Sequence, residues 1–316
     1  MTTNKPTDKV SVSKLFCDKI TFTIDYPNPK DQQTIAKNMK ELTAGKMHSY
    51  KGYSKRYVHR IFVKEKDEWD NALQMMVEYL PRASGTSFVR LDFNPAHCDM
   101  ERILWFLTIL LPGGVTDLAA KGKVTRIDLT VDLTGVHVSS LLAVYPAMQV
   151  SKVYCKSGMI ETLGIGCYEG AKKIILYDKT RQVKEMNEKF GTNYSIPTDP
   201  TTRVEICLRP NCGLSHLIEL DNPFEKLIVS SIASIPKLDD LTWKLFIAVA
   251  QMRGAQDALL MVDDKNLRKA YRERVKGGIA QWWNVTKIWA GWHGVLEDVF
   301  MLKDCTPPIM LFKKAV

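Results

Sequence analysis

The chain is poor in the patterns that build metal clusters or disulfide frameworks. Its seven cysteines, at 17, 98, 155, 167, 207, 212 and 305, are odd in number and scattered, and no Cys-x-x-Cys pair occurs. That usage excludes a zinc ribbon or a thioredoxin-type motif and predicts reduced thiols. The six histidines show no ligand spacing. Long apolar runs are missing too. The longest, ILWFLTILLP at 103–112, is about half a membrane span and reads as a buried helix stopped by Pro112 and the glycines after it. The opening MTTNKPTDKVSVSK carries no apolar stretch behind its lysines, so no secretory signal is expected. The expectation is a cytoplasmic protein with no membrane contact.

Negative charge is in short supply. Lys and Arg total 44 against 35 acidic residues, a formal net charge of +9 over 316 residues. An excess of that size makes a polyanion the first partner to consider, and nucleic acid leads.

The hydrophobic pattern predicts an α+β protein with a central, largely antiparallel sheet and a helical C-terminal region. Residues 1–15 read as a flexible arm, 16–215 as a sheet-based domain, and 216–316 as a helical region for DNA recognition or dimerisation. FCDKITFTIDYP, KRYVHRIFVK and SFVRLDFNP read as strands, the first placing Ile20, Phe22 and Ile24 on one face. DEWDNALQMMVEYLP reads as a short helix entered through acidic residues, and 136–150 as another. ETLGIGC and AKKIILYDKTR read as a hairpin turning at Tyr168-Glu169-Gly170, followed by a short helix at VKEMNEKF. TTRVEICLRP reads as a strand ended by Pro210.

Three strands carry the chemistry. In GKVTRIDLTVDL, Ile127, Leu129, Val131 and Leu133 point inward, leaving Arg126, Asp128, Thr130 and Asp132 on the polar face. TTRVEICLRP turns Arg203, Glu205 and Arg209 outward, and KKIILYDKT puts Lys173, Tyr177 and Lys179 on its polar side. A solvated sheet face accounts for any one strand taken alone. Together they offer three carboxylates, and if the strands are neighbours, repulsion between Asp128, Asp132 and Glu205 is relieved by a shared hard cation, Mg²⁺ or Mn²⁺. A tyrosine beside such a cation and several lysines can act as a phenolate nucleophile on a phosphodiester. The phosphotyrosine product conserves the bond energy, so strands can later be rejoined.

TRIDLTVDLTG, ETLGIGCYEGAKKIILYDKTRQ and TRVEICLRP, in that order, resemble the replication initiation factor family of rolling-circle plasmids, phages and conjugative elements, over roughly residues 85–212. The resemblance implies a site- and strand-specific DNA-nicking endonuclease and ligase that stays attached through tyrosine. It implies Tyr177 and Lys179 as catalytic residues and Asp128, Asp132 and Glu205 as metal ligands, with Arg126 and Arg203 at the basic positions; Arg126, Lys173 and Arg203 are expected to contact DNA. It also implies origin DNA, duplex and single-stranded, as partner, with a host helicase and a second copy of the chain as further ones. One departure stands out. Family members often carry Tyr-x-Gly-Ser in the first hairpin strand, where this chain has Gly164-Ile165-Gly166-Cys167. Tyr168 is the second candidate for the nucleophile. A DNA-binding protein without catalysis, and a nuclease in which water attacks, are the alternatives.

Two further stretches stand out. KNLRKAYRERVKGG gathers Lys265, Arg268, Lys269, Arg272, Arg274 and Lys276 in one helix, either a solvated face or a duplex-phosphate contact. Lys51-Gly52-Tyr53-Ser54-Lys55-Arg56-Tyr57 interleaves aromatics with cations, the pattern of a single-strand stacking surface, which a mobile hairpin tip also explains.

Overall fold

The computed structural model describes residues 10–44, 48–66, 72–146, 148–156, 158–167, 169–235 and 240–300. The chain is α+β, as its periodicity predicts.

Part of the expected arm is structured: β1 (Ser11–Val12) pairs antiparallel with the end of β7 (Lys123–Thr134), and Ser13 N–H donates to the Asp132 carbonyl. β2 (Phe16–Ile24) forms where alternation places it, with Ile20, Phe22 and Ile24 buried. α1 (Pro29–Ala44), absent from the sequence reading, opens on a proline whose fixed φ suits a first turn and buries Ile35, Met39 and Leu42. β3 (His48–Gly52) and β4 (Tyr57–Lys66) follow.

The helix predicted in DEWDNALQMMVEYLP is corrected: residues 72–81 are strand β5 (Ala72–Pro81), and 67–71 lie outside the described residues. Leu73, Met75, Val77 and Tyr79 alternate into the core, and pairing with β4 on one side and β6 (Val89–Phe93) on the other satisfies the backbone. Cross-strand partners override a weak helical preference.

α2 (Met100–Leu110), capped by Asp99, stops short of Pro112 as expected, and α3 (Val115–Lys121) leads into β7. The second predicted helix, 136–150, is also corrected. A single 3-10 turn at Val138–Ser140 gives way to β8 (Leu141–Val144), all four residues of which are buried. A short, continuous apolar run of this kind is a strand covered on both faces.

β9 (Val150–Lys156) precedes the predicted hairpin, which forms as β10 (Met159–Ile165) and β11 (Lys172–Asp178). α4 (Lys179–Phe190) ends at Gly191 with φ 62°, a left-handed cap that glycine adopts without strain. β12 (Thr201–Leu208) stops before Pro210, β13 (Cys212–Gly213) pairs with β7, and β14 (Ile228–Ser231) pairs with β8. The predicted helical region carries α5 (Leu241–Arg253), α6 (Ala255–Leu260), α7 (Lys265–Gly277), α8 (Val285–Trp289) and α9 (Trp292–Phe300).

Two compact units result, each assembled from separated stretches of chain rather than meeting at a single boundary near 215. One holds Phe16–Leu129, Leu208–Asp221 and Gly291 onward; the other holds the chain up to Leu15, Thr130–Cys207 and Asn222–Ala290. In the first, strands run in the order β3-β4-β5-β6-β2-β7, with neighbours from β3 to β2 antiparallel and Ile103, Phe106 and Leu107 of α2 in its core. In the second, the order is β7-β12-β11-β10-β9, and a separate core packs Leu142 and Val144 of β8 against Trp243, Phe246, Leu259, Tyr271 and Val275. Among the described residues no single helix is long and apolar enough to cross a membrane.

Candidate active-site pocket

The β10–β11 hairpin sets the geometry around Tyr177. Thr162 lies opposite Tyr177 and Gly164 opposite Ile175, so these four residues share one strand face. Gly164 therefore lies on the face that carries Tyr177, in the next pair on that face.

Asp178 closes β11 and at once caps α4, accepting from Arg181 N–H at 2.9 Å. That cap turns the first turn of α4 back over the hairpin. Arg181 then reaches two carboxylates, Glu161 on β10 and, at 2.9 Å, Glu185 one turn further along α4. The Arg181 hydrogen bond holds the Glu185 carboxyl below its ordinary range. The result is a cavity of about 370 Å³ lined by Glu161, Thr162, Ile175, Tyr177, Asp178, Arg181, Gln182, Glu185 and Glu205.

The cavity joins two residues that the sequence singled out on different strands, Tyr177 and Glu205. Lys179, the third, opens α4, and its ammonium donates to the lining Gln182 at 2.9 Å. Lys173 shares the strand face of Tyr177 by alternation. Missed from the sequence were Glu161, Arg181, Gln182 and Glu185. The i, i+4 spacing of Arg181 and Glu185 was a readable signal; the reach of Arg181 to Glu161 was not.

The expected carboxylate trio is not assembled as a metal site. Asp128 accepts from Arg126 Nε and Nη2 at 2.8 and 2.6 Å, and Asp132 from Arg203 Nε and Nη2 at 2.7 and 2.9 Å. Both oxygens of each aspartate are thus engaged by a planar guanidinium, the partner that suits a carboxylate best in a buried setting. Among the described residues no three His, Cys, Asp or Glu side chains group as a cation site. Thr130, between the two aspartates, has a buried hydroxyl with no hydrogen-bond partner among the described residues, a single neutral ligand at most. The trio as expected does not fit Mg²⁺ or Mn²⁺. Arg126 and Arg203, expected to face DNA, instead neutralise carboxylates of their own face.

A second correction concerns exposure. Every residue of β12, which runs between β7 and β11, is buried, Arg203 at 7% and Glu205 at 8%. The alternation was read correctly, but that face is covered rather than solvated.

Tyr168, the alternative nucleophile, lies outside the described residues. In α7, Tyr271 and Val275 face the core and Lys265, Lys269 and Arg272 are exposed. The other three cations are engaged: Arg268 Nε donates to the Val262 carbonyl at 2.8 Å, Arg274 stacks 5.3 Å over the Trp243 ring, and Lys276 pairs with Glu273.

No family model matches the chain, and no curated protein matches it. Among solved structures, a rolling circle replication initiator protein from Geobacillus stearothermophilus is similar at 12% identity with a TM-score of 0.39, over 78% of this chain and 98% of that one.

Proposed function

We propose that this protein nicks one strand of DNA through Tyr177 in a rolling-circle type of replication initiation. The observation that carries the reading is the meeting of Tyr177 and Glu205, drawn from two separate motifs of the resemblance, in one cavity at the N-terminus of α4.

In this reading the Tyr177 hydroxyl attacks a backbone phosphorus and Glu205 takes the phenolic proton. The bond to the leaving 3′ oxygen breaks and that oxygen takes up a proton from water, giving a 5′-phosphotyrosine and a free 3′ hydroxyl; reversal with another 3′ hydroxyl rejoins strands. The lining holds four carboxylates against one guanidinium, so an incoming phosphate needs positive charge close by. The first turn of α4 supplies the positive end of a helix dipole, and Lys179 and Lys173 supply ammonium groups. With Asp128 and Asp132 held by arginines, Glu205 is the one member of the expected trio at the cavity, and the other lining carboxylates, Glu161, Asp178 and Glu185, are bonded to the side chain or backbone N–H of Arg181. No step here runs through Mg²⁺ or Mn²⁺. The exposed cations of α7, Lys265, Lys269 and Arg272, take duplex phosphates in the same proposal.

The test is incubation with DNA of the protein's own replicon, followed by a denaturing gel and peptide mass spectrometry. A covalent adduct on Tyr177, lost in Tyr177→Phe, is expected. Cleavage that survives Tyr177→Phe would mean that water attacks. No cleavage at all, with origin binding intact, would favour the second reading, a DNA-binding protein without catalysis, to which Gly164 points.

A further inference from the structure

We infer that the β3–β4 hairpin and the sheet face beside it form a binding surface for a single DNA strand, separate from the Tyr177 cavity. The surface belongs wholly to the unit that holds Phe16–Leu129. Tyr50 and Tyr53 expose 62% and 76% of their surfaces, although tyrosine rings ordinarily bury most of their area. Tyr50 is not a loose ring: it stacks on Phe62, its cross-strand partner, at 4.7 Å and 14°.

The next pair on the same face is Gly52 opposite Arg60, and a Cβ at 52 would come within 2.8 Å of the Phe62 ring and 3.1 Å of Arg60 Cδ. Glycine here lets an aromatic ring and a guanidinium stem lie flat across the edge strand. The turn is pinned as well. Ser54 is 6% exposed, and its hydroxyl accepts from the backbone N–H of Arg56 and of Tyr57, while Arg82 N–H and Nε donate to the carbonyls of Arg56 and Tyr57. A mobile tip is thus not the arrangement found.

Cations frame the rings. Lys55, Arg56 and Lys64 are exposed, and Arg60 extends the same face. Outward-facing rings beside positive charge, one of them held by stacking, match bases and phosphates of a single strand; in a duplex the base faces are already stacked and cannot reach them. The choice of DNA as the strand rests on the reading of the Tyr177 cavity; the stacking surface does not.

The test is fluorescence anisotropy in a Tyr177→Phe background, so that cleavage cannot intervene, with oligo-dT, oligo-U and a duplex of equal length. Tyr50→Ala with Tyr53→Ala is expected to weaken oligo-dT binding roughly tenfold or more, while Tyr50→Phe with Tyr53→Phe restores it. Replacing Lys55, Arg56 and Lys64 by Ala is expected to flatten the salt dependence by about two contacts. Oligo-dT affinity unchanged by the alanine pair, or a duplex bound as tightly with the same tyrosine dependence, would overturn the inference. Oligo-U bound in preference to oligo-dT would overturn the choice of DNA. None of these outcomes depends on whether Tyr177 is the nucleophile.

Discussion

The two units handle charge on a strand face in different ways. In the unit of β2 to β6, Glu78 sits at 1% exposure between Arg60 and Arg90, its register partners on either side, with bonds of 2.7 and 2.5 Å. Asp92 completes the group with Arg90, Lys19 and Thr21. Two acids meet three cations, and both carboxylates are buried. Around Tyr177 the balance reverses, four lining carboxylates to one arginine, and a cavity is left. The comparison teaches that polar faces on sheet strands are not one category. A network whose buried acids are all met by cations stabilises a fold; one with acids in excess beside a cavity is a candidate site.

The largest expected break of that contrast is at Tyr177. Its replacement by Phe should lower adduct formation at least ~10³-fold with no change in urea midpoint, whereas Glu78→Gln should leave adduct formation alone. Removing the Glu78 charge strands two arginines over a buried floor and should cost about 3 kcal/mol in urea unfolding. Asp132→Asn tests the same principle in the other unit: a loss of about 1–2 kcal/mol, as Arg203 gives up one of its two bonds, that added Mn²⁺ does not restore.

Acid provides a finer test. Burial pushes the Glu78 carboxyl up, but bonds from Ser54, Arg90 and Arg60 outweigh it and leave it below the ordinary value of 4.5. A carboxyl depressed in the folded state contributes stability above its unfolded pKa and loses it as pH falls through the folded one. Urea midpoints should therefore drop as pH descends below about 4.5, and the drop should be shallower in Glu78→Gln. The smallest effect is chemical. Burial lifts the Cys17 thiol well above its usual range, while Cys155 and Cys167 are exposed. A thiol reagent should mark the latter two in the native protein and reach Cys17 only after denaturant is added.

Much of this was legible in the sequence where alternation was strong. β2, β6, β7, β11 and β12 follow from their period of two. Where alternation met competing signals, reading failed. The acidic start of DEWDNALQMMVEYLP looked like a helix entrance, and only the β4 and β6 partners reveal Leu73, Met75 and Val77 as a strand face. α1 could have been found from Ile35, Met39 and Leu42. The expected cation trio failed for a different reason: periodicity gives the face of a side chain, not its partner. Nothing in one dimension says that Arg126 folds onto Asp128, or that Arg203 reaches Asp132 across 71 residues.

Tyr177 is followed at once by a residue that ends a strand and begins a helix. Anchored upstream by its ladder and downstream by a cap, its backbone has little freedom to travel. In the proposed reaction this phenol would serve as a fixed anvil, and the nucleic acid would have to be brought to it. Delivery of the strand, rather than motion of the protein's own reactive group, would set the pace.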